Sequence, residues 1–242
     1  MKEIPYCKTV KLKYPASYKT TNSINMNEEI SKNMLKSNTS LVGIVCKDGV
    51  ILGADRRSTA GSIVMNKDSK KIHKINDYIA ASYTGGVADI QLTSKILAAE
   101  LRLKELKTRS RPTIKEAANL LAMLVYRSIR TPSMIPSIVG TLIAGVDEDG
   151  KTSLFTIEPA GGVTEVEDFD ANFSSGMPYI IGLLERQFKK DMSIQEGIEL
   201  AKECLKSSTQ RDVGSGNGID VFTITKAGIK HAVSEQIIPQ YQ

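Results

Sequence analysis

Two apolar runs, Leu41 to Cys46 and Val50 to Ala54, stand on either side of Lys47-Asp48-Gly49. An Asp-Gly pair between such runs is a strong hairpin signal, because both central residues of a type I′ turn need φ > 0. Pairing Lys47 with Val50 sets a register in which Thr39 lies opposite Ser58. Asp55 then falls about three rungs from Thr39, roughly 10 Å along a strand rising ~3.4 Å per residue. The hairpin returns a carboxylate to the end of the sheet where Thr39 stands, and Lys70 and Lys71 follow within reach of the same end. A hydroxyl, a carboxylate and an ammonium are gathered at one sheet edge. Residue by residue, the same stretch also reads as a strand threonine and a solvated Asp-Arg-Arg rim.

The rest of the chain alternates strands and helices in blocks. Residues 1–38 are polar, with a short helical pattern only over Asn27 to Leu35, and read as a leader or extended arm ahead of a body spanning 39–242. After the hairpin, Ser62 to Met65, Lys71 to Ile75 and Tyr78 to Thr84 read as strands, the last ending in Gly85-Gly86. A helix follows from Val87 or Ala88 to about Lys107, with Ile90, Leu97 and Leu101 on one face. Thr113-Ile114-Lys115-Glu116 is a capping box that opens a second helix. Ser137 to Val146, Ser153 to Ile157 and Val163 to Phe169 are strands; a third helix follows Ser175-Gly176-Met177-Pro178, and the capping box Ser193 to Glu196 opens a fourth. A glycine-rich loop, Gln210 to Gly218, leads to closing strands over Ile219 to Thr225 and Ile229 to Ser234. Hairpin-linked strand blocks alternating with helix pairs predict two packed antiparallel sheets between two helix layers, although the segment order also fits other α+β forms.

Composition narrows the function classes. The net charge is +5, but residues 1–38 hold seven Lys and three Glu, leaving 25 basic and 24 acidic residues in 39–242. The body therefore carries a net charge of only +1 and no basic stripe with interleaved aromatics to hold nucleic acid. No apolar run has the length of a membrane span, and the N-terminus lacks the apolar core of a signal peptide. Cys7, Cys46 and Cys204 form no CxxC pair and no metal-ligand spacing, which points to a reducing cytoplasmic setting; no metal or organic cofactor is expected. Only His73 and His231 are available as imidazole bases, and there is no HExxH or G-x-S-x-G; the Gly214-Ser215-Gly216 loop lacks the Lys of a P-loop. A hydrolase built on this chain must find its base elsewhere.

Four short motifs follow one another along the chain: Thr39-Ser40-Leu41-Val42-Gly43-Ile44, Lys47-Asp48-Gly49-Val50, Asp55-Arg56-Arg57 and Lys70-Lys71-Ile72. In this order they resemble the opening of mature β subunits of the archaeal-type proteasome core particle. The likeness runs to about Ser234. It implies the four-layer αββα sandwich of N-terminal nucleophile hydrolases and a threonine endopeptidase activity. A threonine hydroxyl is a weak nucleophile without a base. Once Asn38–Thr39 is cleaved, the α-amine of Thr39, with a pKa near ~7.7–8.0, can serve as that base. The resemblance further implies that Asp55 and Lys71 flank the hydroxyl, that Ser175, Asp212 and Ser215 surround the amine, and that Gly85 offers an oxyanion N–H. Ser58, Ser69, His73, Tyr83 and Val87 fall where the family forms its substrate pocket, and a residue as large as Tyr83 would shrink or fill it. Taken singly, Ser175 also reads as a helix N-cap, Asp212 as a turn residue and Ser215 as loop filler.

One position departs from the pattern. Processed members usually carry Gly just before the nucleophile, and here Asn38 stands there; attack on its carbonyl needs a tight turn that Gly adopts more easily, and Asn tolerates φ > 0 better than most other residues, so the departure impairs self-cleavage without excluding it. Two readings follow: a β subunit whose leader is removed to expose Thr39, or a ring-building β subunit that keeps its leader and is structural or poorly active. The partners implied are other β subunits in a ring, an α-subunit ring and, indirectly, an ATP-dependent unfoldase, with unfolded polypeptide as substrate.

Overall fold

Strands β1 (Leu41–Cys46) and β2 (Gly49–Asp55) form the expected hairpin with a two-residue loop, in a register that shifts each residue's partner by two from the one the Asp-Gly rule gives. Cys46 pairs with Gly49 and Leu41 with Ala54, so the two loop residues are Lys47 and Asp48. Neither they nor Gly49 has positive φ, so the type I′ expectation is corrected. Gly49 serves close approach instead: a Cβ there would stand 2.4 Å from the carbonyl oxygen of Ile224 in the neighbouring strand. A slip of two residues preserves which side chains face the core. It does bring Asp55 level with Ser40, whose carbonyl accepts the Asp55 N–H at 3.2 Å, and Thr39 is level with Arg56 rather than Ser58.

The computed structural model describes residues 38–133 and 135–237. The leader up to residue 37, with the helix expected over Asn27 to Leu35, lies outside the described residues. Strand β2 is central to a five-stranded antiparallel sheet. Its order runs from β10 (Phe169–Asp170) through β1 and β2 to β11 (Gly218–Thr225) and β12 (Gly228–Gln236). The second five-stranded sheet is an antiparallel meander of β5 (Ile72–Lys74), β6 (Ile79–Gly85), β7 (Val139–Val146), β8 (Thr152–Ile157) and β9 (Val163–Val166). A ribbon of β3 (Ser58–Ala60) and β4 (Ile63–Asn66) stands apart. The single strand expected over Val163 to Phe169 is split: β9 stays in the meander, while β10 crosses to pair Asp170 with Gly43 of β1.

Helices α1 (Val87–Thr108) and α2 (Ile114–Arg130) belong to the meander side, and α3 (Met177–Gln187) and α4 (Ile194–Thr209) to the other. Both capping boxes form in full: Thr113 with Glu116, and Ser193 with Glu196. Each satisfies two N–H groups that a helix start leaves orphaned. Alternation along β1 and β2 splits the apolar side chains. Leu41, Val50, Leu52 and Ala54 join a core with β6, β7, β8, α1 and α2, whereas Val42, Ile44 and Ile51 join a second core with α3 and α4. The result is the α+β sandwich of N-terminal nucleophile hydrolases, with two antiparallel sheets between helix pairs. No described helix is long and apolar enough to cross a membrane.

Candidate active site

Thr39 sits one residue ahead of Ser40 and β1, almost wholly buried at 1% exposure. The end of β2 delivers Asp55 beside it. The Asp55 side chain is fully enclosed, and its charge is met by four donors: Lys71 Nζ at 2.6 Å and Ser40 N at 2.9 Å on Oδ1, Arg57 N at 2.8 Å and Gly216 N at 3.0 Å on Oδ2. A buried carboxylate is tolerable only with such full compensation. Of the two adjacent lysines, Lys71 is the buried one and Lys70 is exposed. The Lys71 backbone carbonyl accepts from Tyr83 N at 3.0 Å, which anchors the residue to β6 while its side chain reaches Asp55. Burial pulls the Lys71 ammonium below the ordinary lysine range, against the opposing pull of Asp55.

A second set of groups surrounds the Thr39 backbone. Thr39 N donates to Ser175 Oγ at 3.0 Å, and the Thr39 carbonyl accepts from Gly176 N at 3.2 Å. Ser175 Oγ lies 2.6 Å from Asp212 Oδ2 and 3.1 Å from Thr39 O; its single proton goes to the shorter, charge-assisted contact with Asp212. Asp212 Oδ2 also accepts from Ser215 Oγ, which meets Ser40 Oγ at 2.7 Å. The N-cap of α3 is Gly176, so the Ser175 side chain is free to serve Thr39 rather than its own helix. Thr39 Oγ1 donates to the Asn38 carbonyl at 2.7 Å, and Lys71 Nζ lies 3.5 Å from the same oxygen. The nucleophile candidate, the bond before it and the ammonium thus converge on one carbonyl.

Thr39, Asp55, Lys71, Ser175, Asp212 and Ser215 therefore share one hydrogen-bonded network. Gly85 does not join it. It ends β6 opposite Val139 with φ +128°, where an added Cβ would stand 2.1 Å from the Ile138 carbonyl oxygen. Glycine is required there both for φ and for space. The pocket candidates are spread. Ser58 opens β3, Ser69 donates its N–H to Arg56 O at 2.9 Å, and Val87 opens α1 about half exposed. The His73 and Tyr83 rings meet edge-on at 5.5 Å. The expectation that Tyr83 lines a pocket is corrected: it is 0% exposed and part of the core with α1 and α2, and its phenol oxygen has no partner among the described residues.

Among the described residues, other nucleophile and base candidates are engaged elsewhere; Cys7 lies outside the described residues. Cys46 and Cys204 are buried, and burial pushes each thiol up to about 12, far from the thiolate form. His231 bonds Asp220 at 2.7 Å and stacks on Phe222. Three contributors escape the sequence reading. Ser40 uses its N–H on Asp55 and its hydroxyl on Ser215. The Gly216 N–H completes the Asp55 shell. Arg57 brackets the Asp212 loop, with Nη1 on Val213 O and Nε on Asn217 Oδ1, both at 2.8 Å. The available signal was the Asp-Arg-Arg run itself, whose arginines point back into the fold.

Comparison with known proteins gives one consistent answer. The family model described as "Proteasome subunit" matches residues 35–224. The proteasome subunit beta of Methanocaldococcus vulcanius is 39% identical over 199 residues, covering 82% of this chain and 87% of that protein, and its counterpart from Methanocaldococcus jannaschii matches to the same extent. The proteasome subunit beta of Nanoarchaeum equitans is 38% identical over 192 residues, covering 79% of this chain and 95% of that protein. The chain belongs to the proteasome subunit family as a β subunit of the core particle, a peptidase built together with other proteasome subunits.

Proposed function

We propose that this chain is a threonine endopeptidase whose residues 1–38 form a leader, removed by cleavage of Asn38–Thr39, and whose residues 39–242 form the catalytic domain. One observation carries the reading: the Thr39 nitrogen is held by Ser175, itself bonded to Asp212, while the Lys71–Asp55 pair stands at the carbonyl to which Thr39 Oγ1 is bonded. Leader removal is an acyl shift. Thr39 Oγ1 adds to the Asn38 carbonyl carbon, the C–N bond breaks, and the hydroxyl proton ends on the Thr39 nitrogen. Water then hydrolyses the ester, leaving an Asn38 carboxylate, a free hydroxyl and a free amine. An amide nitrogen is no base, so the same cleavage creates the base and exposes the nucleophile.

Turnover repeats that chemistry on a substrate. The amine, held by Ser175, Asp212 and Ser215, takes the Thr39 Oγ1 proton as the oxygen attacks the substrate carbonyl, and returns it to the leaving nitrogen. The Lys71 ammonium favours the developing alkoxide and, as a like charge, lowers the pKa of the amine. Asp55 keeps Lys71 charged and in place. The Gly85 N–H serves the oxyanion, and Ser58, Ser69, His73 and Val87 border the substrate side chain. The substrate is unfolded polypeptide in the cytoplasm, delivered through an α-subunit ring by an ATP-dependent unfoldase.

Thr39→Ala in the assembled particle tests this. The expected result is a chain that keeps residues 1–38 and does not hydrolyse fluorogenic peptides; residual wild-type activity removes Thr39 from the mechanism. A wild-type chain that still begins at Met1 in active particles favours the leader-retaining, ring-building reading.

A further inference from the structure

The loop that carries Ser215 also touches the residue before the nucleophile. Asn38 is half-buried, and a Cβ built on Gly214 would lie 1.7 Å from Asn38 Cβ, 2.6 Å from its Cγ and 2.6 Å from its Nδ2. All three of the nearest atoms belong to Asn38, and the nearest is the one fixed directly to the backbone. Gly214 does not have positive φ, so glycine is required there for space and not for conformation.

The loop is held in place, and the Asn38 carbonyl is engaged by the nucleophile. The loop is tied by Arg57 Nη1 on Val213 O at 2.8 Å, Gly214 N on Asp212 Oδ1 at 3.2 Å, Ser215 N on Asp212 O at 3.1 Å and Gly216 N on Asp55 Oδ2 at 3.0 Å. Ser215 in its middle is 0% exposed. On the other side, the Asn38 carbonyl is held by Thr39 Oγ1 at 2.7 Å. A methyl group at position 214 must push Asn38 away from that hydroxyl, and acyl transfer is sensitive to displacements on the order of 1 Å.

We infer that Gly214 is the residue that sets what side chain can stand before the scissile bond: it forms the notch in which Asn38 sits, and so makes leader removal at Asn38–Thr39 compatible with a side chain at that position. The inference rests on the processing reading above and adds its specificity determinant. Asn38 and Gly214 act as a coupled pair, in which a Cβ is tolerated at one position only where the other lacks it.

Leader loss in the full chain, followed over time by intact mass in assembled particles, tests the coupling through six chains. Wild type, Asn38→Ala and Asn38→Gly are expected to lose the leader. Gly214→Ala is expected to slow the loss at least tenfold, and Asn38→Ala/Gly214→Ala to remain slow because the Cβ clash persists. Asn38→Gly/Gly214→Ala removes all three clashing atoms and is expected to return to the pace of Asn38→Gly; this rescue also shows that Ala at 214 leaves the protein folded. The inference is overturned if Gly214→Ala matches wild type, if Asn38→Gly fails to rescue it, if Asn38→Ala rescues it equally, or if wild type stays uncut while Asn38→Gly is cut. If wild type and Asn38→Gly both stay uncut, the processing reading itself is overturned, and this inference with it.

Discussion

Two buried polar regions of this molecule are built on opposite terms. Around Thr39 the polar side chains are matched: buried Asp55 accepts four bonds, and buried Ser40 and Ser215 join half-buried Asp212 and exposed Ser175 in one chain of bonds. On and behind the meander sheet, the hydroxyls of Ser82, Tyr83 and Thr141 are buried without partners among the described residues, although Tyr83 and Thr141 face each other across β6 and β7. An unpaired buried hydroxyl costs about 1–3 kcal/mol, whereas a satisfied charged network stabilises one geometry. The difference teaches where positional accuracy has been concentrated. The Thr39 end is over-determined by its bonds; the region around Tyr83 is held by packing.

That contrast can be broken from either side. The largest expected effect is Lys71→Ala, which leaves the enclosed Asp55 carboxylate without its cation. Removing one member of a buried pair costs about 3–5 kcal/mol, read as a lower urea midpoint, and peptide hydrolysis should fall by about a thousandfold or more. A Lys71→Ala protein of wild-type stability would show that Asp55 does not depend on it. Ser175→Ala comes next. It deletes one link between Asp212 and the Thr39 nitrogen, so kcat should drop by about a hundredfold, with stability changed by only ~1 kcal/mol. An unchanged kcat would release the amine from Ser175.

Tyr83→Phe sharpens the other side of the comparison. Removing an oxygen that has no partner should raise stability by about 1 kcal/mol, the opposite sign from a hydroxyl lost in the Thr39 network. A loss of stability would reveal a partner for the phenol. The smallest effect concerns His73. Burial lowers its pKa below the ordinary value, while the unfolded chain titrates near ~6.5. Between the two values the unfolded state binds more protons, so this contribution to stability is complete above ~6.5 and is lost as pH falls through the folded pKa. His73→Gln should flatten that slope in unfolding measured from pH 7 to 5; an unaltered slope would contradict it.

Much of the architecture could be read from local chemistry. The capping boxes at Thr113 and Ser193 and the order of strand and helix blocks reproduce the observed elements, because caps and periodicity are local. What escaped was tertiary. Asp48-Gly49 promised a turn with positive φ, but Gly49 answers to the Ile224 carbonyl in a strand far along the chain. Strand β10 changes sheet, which a continuous run from Val163 to Phe169 does not announce. Of the catalytic residues drawn from the family likeness, all but Gly85 share the network around Thr39, while the pocket residues drawn from it are spread, and Ser40 and Arg57 were hidden. A serine beside a threonine, and the second of two arginines, look ordinary until the loop from Asp212 to Asn217 folds over them.

The central claim is that a free Thr39 amine and its own hydroxyl act together. Treating active particles with an acylating peptide electrophile and mapping the adduct by mass spectrometry tests it most directly. The expected result is one adduct per active chain, on Thr39 Oγ1, in a chain whose first residue is Thr39. An adduct on any other residue, or full activity in chains where residue 38 is still joined to Thr39, would contradict it.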